Sequence, residues 1–194
     1  MHVAHSELSL DDFLAMPDEK LVEWHRGRLE HKPMPSKLHA RVQGGLILLL
    51  GNWSIQTGAG HVMPEVRITV TTGDDPRSIL PDVSFESAGR SAGPPRDESM
   101  SEAPDLTIEV VSRGQGFGYY QERVTWLLSH GSRLVWVVDG RERTVTVFKN
   151  GILPEVRRGT TRLGDPEVLR GFDATVDDLW KWSGLSSEAE EQPA

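Results

Sequence analysis

Two apolar segments on either side of a helical one constrain the fold of this chain more than any other feature. Residues 104–111 have the composition of a strand, and residues 133–138 are almost continuously apolar, as in a strand buried on both faces. Between them, residues 119–130 are predicted to form a helix that ends at Gly131. This order predicts an α/β domain whose central sheet mixes parallel and antiparallel strand pairs.

The other segments extend this arrangement into one domain over residues 1–182. Ser9 and Ser36 each precede a helical segment, and the second helix is predicted to be long and to end near residues 57–60. Further strands or ribbons are predicted at residues 21–31, 61–71, 79–85 and 143–148, and a short helix at residues 175–182.

Two segments are expected to lack regular structure. Residues 86–104 contain Ser, Gly, Pro, Asp and Glu with few apolar side chains, which predicts a mobile loop. Residues 183–194 contain several glutamates and predict a disordered acidic tail.

The composition excludes several classes of protein. Of 194 residues, 37% are hydrophobic and 26% charged, which is typical of a soluble globular protein. The net charge of −8 argues against a general nucleic-acid coat or a polybasic membrane binder. Without cysteine there is no disulfide scaffold, thiolate zinc site or cysteine nucleophile. Because no apolar run approaches the about 20 residues of a membrane span and no signal-peptide pattern occurs, we expect a cytoplasmic protein with no membrane partner.

Two carboxylates inside predicted strands are the most informative candidates for a functional site. Asp82 lies within residues 79–85 and Glu109 within residues 106–111, and the strand period points each away from its apolar neighbours. Burying such charges costs free energy unless a cation or hydrogen-bond donors meet them. Two acids on adjacent strands would repel each other, and Mg²⁺ or Mn²⁺ would relieve that repulsion. The alternative is that either acid faces solvent or pairs with an arginine.

Several segments occur together in an order known from one family. They are PDVSF at residues 81–85, PDLTIEVVS at 104–112, a helix, and RLVWVVD at 133–139. Upstream, VEWHRG and KPMPS are followed by His39 in the next helix. From about residue 21 to 180 this pattern resembles the Uma family of putative restriction endonucleases, in the PD-(D/E)xK nuclease superfamily. The resemblance implies a restriction-endonuclease-like mixed β-sheet flanked by helices, and a metal-dependent endonuclease that hydrolyses phosphodiester bonds in DNA.

The resemblance also implies the catalytic residues. Asp82 and Glu109 would be the motif acids and, with Val110, would hold Mg²⁺ or Mn²⁺. The lysine of the superfamily would fall at Val111, but in this family it commonly lies on the following helix, where this chain has Arg123. An arginine there would bind a phosphate through two hydrogen bonds but would not transfer a proton.

Further residues near the predicted site depart from the family or support it. Arg28 stands where the family has a glutamate after the early glycine, which leaves Glu23 and Glu30 as the nearby acids. Together with His39 they are possible accessory residues. These departures define an alternative function, a catalytically impaired nuclease-fold protein that binds nucleic acid or another protein.

A local basic cluster stands out against the acidic composition. Residues 25–41 contain five basic side chains and only Glu30 as an acid. This cluster predicts phosphate contacts with DNA, or with RNA, and the alternative is a solvated ribbon and first helical turn. Its members are Arg26, Arg28, Lys32, Lys37 and Arg41.

Three further interpretations remain open. Glycines at 114, 116 and 118 between a strand and a helix resemble a dinucleotide-binding turn, although the spacing differs from the usual one. His25, His31 and His39 could suggest a zinc site, but no pair has the spacing of ligands on a helix. The apolar strands 133–138 and 143–148 offer edges for pairing, and we expect a homodimer because double-strand cleavage often needs two sites.

Overall fold

The computed structural model describes residues 8–17, 21–90 and 99–185. Within these ranges the chain forms four helices and ten strands, and none of these helices is long and apolar enough to cross a bilayer. The helices are α1 (Leu10–Leu14), α2 (Lys37–Thr57), α3 (Phe117–Ser129) and α4 (Val176–Trp182). The strands are β1 (Val22–His25), β2 (Arg28–His31), β3 (Gly60–Pro64), β4 (Ile68–Val70), β5 (Arg77–Ile79), β6 (Val83–Ser87), β7 (Leu106–Val110), β8 (Leu134–Asp139), β9 (Thr144–Lys149) and β10 (Ile152–Arg157).

A six-stranded mixed sheet forms the centre of the fold, in the order β10-β9-β8-β7-β6-β3. Strands β7 and β8 are parallel, with Leu106 opposite Leu134, and the other neighbouring pairs are antiparallel. A parallel pair needs a crossover connection, which α3 supplies. The mixed sheet flanked by helices is therefore confirmed.

A second sheet has four antiparallel strands in the order β2-β1-β5-β4, and the sequence did not predict it. It exists because the predicted single strands 61–71 and 79–85 each break into two strands in different sheets. The first break includes Glu65, whose φ of 49° is left-handed, and the second includes Pro81, which has no N–H for a sheet. Predicting each as one strand was wrong, since side-chain alternation does not show where a chain leaves a sheet.

The second break changes the position of Asp82. This residue lies directly before β6 rather than inside a strand. One continuous strand would put Ile79 and Val83 on the same apolar face, but they pack in different cores on the two sides of the break. Both residues are buried.

Two apolar cores lie on opposite faces of the large sheet, as the alternation of side chains along β7 and β8 requires. The larger core packs α2 and α4 against the sheet, and the smaller lies between α3 and the four-stranded sheet. Helix α2 begins at the N-cap Ser36 and ends at Gly58, whose φ of 65° favours glycine. Its apolar stripe is buried at Val42, Leu46, Leu49 and Trp53.

The segment predicted as a mobile loop, residues 86–104, is ordered at both ends, and residues 91–98 lie outside the described residues. Strand β6 continues to Ser87, and Met100 forms a bridge with Ile68. Ala103 is fully buried and accepts a hydrogen bond from Arg90 at 3.0 Å. The prediction was wrong at these ends because main-chain hydrogen bonds hold them, and composition does not reveal such bonds.

The first residues of the predicted disordered tail also pack on the fold. Ser183 is buried against Gly45 of α2, and Arg41 donates hydrogen bonds to the carbonyls of Ser183 and Gly184. The prediction for residues 183–185 is therefore wrong, and residues 186–194 lie outside the described residues.

The strands proposed as dimer edges are not edges. Both β8 and β9 have a neighbour on each side, while β3 and β10 end the large sheet. Strand β10 is absent from the sequence predictions because the adjacent apolar residues Ile152 and Leu153, both exposed, do not alternate with polar ones. The expected pairing edges are therefore wrong, and the homodimer itself stays a prediction.

Candidate active site

The two acids predicted as metal ligands lie on neighbouring segments, Asp82 directly before β6 and Glu109 in β7. Val83 of β6 lies opposite Ile108 of β7 in an antiparallel pair. Asp82, directly before Val83, and Glu109, directly after Ile108, therefore occupy the next pair of opposite positions. The main-chain N–H of Val110 donates to Asp82 Oδ2 at 2.7 Å. Both acids are buried, with exposed fractions of 3% and 2%. The structure thus brings together the two acids that the sequence singled out.

Asp82 is surrounded by hydrogen-bond donors. Lys32 Nζ donates to Asp82 Oδ1 at 2.8 Å, and His39 Nε2 lies 3.2 Å from Asp82 Oδ2. Since an ionised carboxylate only accepts hydrogen bonds, His39 Nε2 carries the proton in this contact. Burial alone would raise the pKa of Asp82, but the hydrogen bond from His39 and the charge of Lys32 lower it to about 2. Asp82 is therefore ionised at neutral pH.

Glu109 shares one guanidinium with a second buried acid, Glu23 of β1. Arg123 Nε donates to Glu109 Oε1 at 2.6 Å, and Arg123 Nη1 and Nη2 donate to Glu23 at 2.7 and 2.9 Å. Glu23 also accepts a hydrogen bond from the main-chain N–H of Leu80 at 2.6 Å. Burial opposes ionisation of Glu23, but the charge of Arg123 holds its pKa below the usual range.

Glu109 differs from the other two acids in its titration. Burial raises the pKa of Glu109 to about 7, and the charges of Asp82 and Glu23 act in the same direction, although Arg123 and Lys32 oppose them. Asp82, Glu109 and Glu23 form a carboxylate cluster. In it, these three buried carboxylates face two cationic side chains, Lys32 and Arg123. The cluster is thus one positive charge short of neutrality when all three acids are ionised.

This charge imbalance and the donor types fit a divalent cation. Asp82 and Glu109 offer carboxylate oxygens, which Mg²⁺ and Mn²⁺ prefer. The main-chain carbonyl of Val110, the third predicted ligand, lies 3.5 Å from Tyr120 Oη. Within the described ranges no group of three or more His, Asp or Glu side chains is arranged to hold a metal. A cation here would therefore complete its shell with water, as Mg²⁺ commonly does. The zinc interpretation of His25, His31 and His39 has no support in those ranges.

Arg123 is placed near the predicted site, but its surroundings differ from the prediction. All three of its nitrogens bind Glu109 or Glu23, and only 3% of its side chain is exposed. Glu122, the neighbour of Arg123 on α3, instead forms an ion pair with Arg77. Arg123 therefore binds two buried carboxylates in this arrangement, and its expected contact with a phosphate stays a prediction.

The five residues of the basic cluster do not form one surface. Lys32 belongs to the carboxylate cluster, and Arg41 binds the main chain after α4. Arg26 is largely exposed and pairs with Asp75 at 2.7 Å. Arg28 and Lys37 are exposed. Spacing along the chain could not separate these cases, because a ribbon and a helix start send successive side chains in different directions.

The three residues predicted as accessory, Glu23, Glu30 and His39, also lie in different surroundings. Glu23 and His39 are part of the cluster, whereas Glu30 lies on β2 with nearly half its side chain exposed, 3.7 Å from His25.

In the glycine-containing turn, Tyr120 Oη accepts from the main-chain N–H of Ser112 at 2.9 Å and donates to Gln115 at 2.6 Å. This turn is thus closed by side chains of its own segment.

Gln43 was not predicted as a site residue, and Lys32 was predicted in a different role. Gln43 donates to the main-chain carbonyl of Asp82 at 2.9 Å and holds the turn before β6. Lys32 was predicted, but as a phosphate contact at the surface. No pattern in the sequence reports these contacts, since 50 residues separate Lys32 from Asp82.

Comparison with known proteins identifies relatives of this arrangement. A model of the Uma2 family, described as putative restriction endonucleases, matches residues 10–177. The chain is similar to the crystal structure of a putative nuclease of DUF820 from Anabaena variabilis ATCC 29413, with 25% identity, a TM-score of 0.78, and coverage of 91% of this chain and 99% of that one. It has a weaker likeness to the cryo-EM structure of a DrdV–DNA complex, with 15% identity, a TM-score of 0.40, and coverage of 81% of this chain and 12% of that one. No curated protein matches. The predicted family resemblance and fold are confirmed.

Proposed function

Since the chain belongs to the Uma2 family of putative restriction endonucleases, we propose that it hydrolyses phosphodiester bonds in DNA with Mg²⁺ or Mn²⁺ as cofactor. The observation that most supports this proposal is the pairing of buried Asp82 with buried Glu109 in a cluster short of positive charge. A purely structural ion-pair network would gain nothing from an excess of negative charge, whereas a metal-dependent nuclease needs that excess to bind a cation.

The side chains of the cluster have separate tasks in this proposal. Asp82, Glu109 and the carbonyl of Val110 would hold the metal, which when bound polarises a phosphoryl oxygen and lowers the pKa of an attacking water. His39 and the N–H of Val110 both bind Asp82 Oδ2, so they fix the orientation of this carboxylate. Arg123 fixes Glu109 through its hydrogen bond at 2.6 Å. Such supporting contacts keep metal ligands in place.

The nucleic acid would approach over exposed cationic side chains of residues 26–37. Arg26, Arg28 and Lys37 remain exposed and are the proposed phosphate contacts. The family description favours DNA, and RNA is the alternative that the same assay separates. We also propose a homodimer, and a light-scattering mass equal to that of a monomer at assay concentration would contradict it.

A cleavage assay tests the proposed activity. Supercoiled plasmid and a labelled RNA of equal length are incubated with the protein and Mg²⁺ or Mn²⁺, and we expect nicking of the plasmid that EDTA abolishes. Asp82→Asn and Glu109→Gln should each abolish nicking, whereas Glu142→Gln, which changes an exposed turn residue, should leave it unchanged. Nicking that survives both site substitutions, or a wild type without nicking, would contradict the proposal.

The alternative is a nuclease-fold protein with impaired catalysis. One observation favours it: Arg123, which binds Glu23 and Glu109, stands at the position where the family commonly has its lysine. This alternative predicts binding of nucleic acid or of another protein without cleavage, and no binding of Mn²⁺ at millimolar concentration. Calorimetric titration with Mn²⁺ beside the plasmid assay distinguishes the two functions.

A further inference from the structure

Lys32 places an ammonium group inside the carboxylate cluster, although it comes from the small sheet. It directly follows β2 of the small sheet, and Nζ donates to Asp82 Oδ1 at 2.8 Å and to the carbonyl of Leu80 at 2.6 Å. Only 11% of the side chain is exposed. A lysine rarely gives up hydration in this way unless carboxylates compensate it, as Asp82 does here.

The other positions expected to supply a lysine cannot do so. Position 111 is a valine, and Arg123 on α3 uses its three nitrogens on Glu23 and Glu109. Among the side chains of the cluster, Lys32 is thus the cation with the fewest contacts. An ammonium has three N–H donors, and two contacts are made by Lys32 in the described structure.

We propose that Lys32 is a catalytic residue of this site, whose ammonium contacts the scissile phosphate beside the metal-binding carboxylates. The inference rests on the proposed function and assigns the lysine of that reaction to a different segment of the chain. In the reaction, the oxygen of water bonds to phosphorus, and the P–O ester bond breaks with its electron pair on the leaving oxygen. One proton of the water passes to that oxygen and the other to solvent. Lys32 keeps its proton throughout and stabilises the negative charge on the phosphoryl oxygens.

Substitution by methionine tests this role because it keeps the length of the side chain and removes the charge. Lys32→Met should lower the rate of plasmid nicking by about 100-fold, as the loss of one donor to a developing charge typically does. Lys181→Met, which changes an exposed lysine of α4, should leave the rate unchanged. Lys32→Arg, which keeps the charge, should retain more activity than Lys32→Met. Equal rates for Lys32→Met and the wild type would overturn the proposal.

A second measurement separates a catalytic from a merely structural lysine. Lys32 and a bound metal would repel each other across Asp82, so Lys32→Met should bind Mn²⁺ about tenfold more tightly than the wild type, measured by calorimetry. Tighter binding with slower cleavage supports the proposal, since a variant with a damaged site would lose both. Weaker Mn²⁺ binding, or a collapse of the melting temperature in both Lys32→Met and Lys32→Arg, would show that Lys32 only holds the fold together.

The two proposals fail in different ways. A wild type that does not nick DNA contradicts the proposed function, whatever Lys32 does. Unchanged Mn²⁺ binding in Lys32→Met contradicts the placement of Lys32 at the metal, whether or not the wild type is active. Tighter binding in an inactive protein would support that placement and overturn the catalytic role.

Discussion

Arg123 binds Glu23 through two hydrogen bonds, of 2.7 and 2.9 Å, although the two residues are 100 positions apart in the chain. The same guanidinium binds Glu109 at 2.6 Å. Glu23 belongs to the small sheet and Glu109 to the large one, so this arginine joins the two sheets at the candidate active site. All three side chains are buried.

The first prediction concerns this contact. Arg123→Met would leave Glu23 and Glu109 buried without their main cation, and we expect a loss of about 3–5 kcal/mol in the free energy of unfolding. Urea denaturation measures this loss. Arg113→Met, at an exposed position of the neighbouring turn, should change stability by less than about 0.5 kcal/mol. Similar small effects for both variants would show that Arg123 does not join the sheets.

The second prediction concerns the pH dependence of metal binding. Because the pKa of Glu109 is raised to about 7, a proton must leave this group before a cation binds at lower pH. We expect the affinity for Mn²⁺ to be constant above about pH 7 and to fall by about tenfold for each pH unit below it. Asp82, with a pKa of about 2, stays ionised and contributes nothing in this range. Calorimetry from pH 5.5 to 8 would contradict the prediction if the affinity did not change.

The third prediction tests His39 as a positioning residue. His39→Ala removes the donor at 3.2 Å from Asp82 Oδ2, and we expect Mn²⁺ affinity to fall about 10- to 100-fold, as is common when a supporting contact of a metal ligand is lost. His39→Gln, which can donate a hydrogen bond, should restore part of it. His61→Ala changes an exposed histidine and serves as the control. Unchanged affinity in His39→Ala would exclude this role.

The fourth prediction compares two adjacent glycines of α2. A Cβ at Gly45 would lie 2.8 Å from the main-chain nitrogen of Ser183, whereas a Cβ at Gly44 would meet nothing within 4 Å. Gly45→Ala should therefore destabilise the protein by about 1–3 kcal/mol. Gly44→Ala should stabilise it by up to about 1 kcal/mol, because alanine favours helix. Thermal unfolding of both variants checks the packing of residue 183, and equal effects would contradict it.

Much of the fold follows from local patterns. Helices α2 and α3 and strands β7 and β8 were predicted near their observed bounds, because each has an apolar pattern of sufficient length and a clear end. The small sheet was not predicted. Its strands β4 and β5 have three residues each, which is too short for a period to be recognised.

In the candidate site, too, local sequence patterns predict some features and not others. The sequence by itself singled out Asp82 and Glu109, because each is an acid among apolar neighbours that must leave water, and the structure shows that both are buried. Only the tertiary structure decided which cations meet them. Lys32 was predicted at the surface and Arg123 at a phosphate, yet both neutralise buried carboxylates. Burial is a local preference of a segment, whereas the partner of a charge depends on chain segments 50 and 100 residues away that meet only when the two sheets pack together.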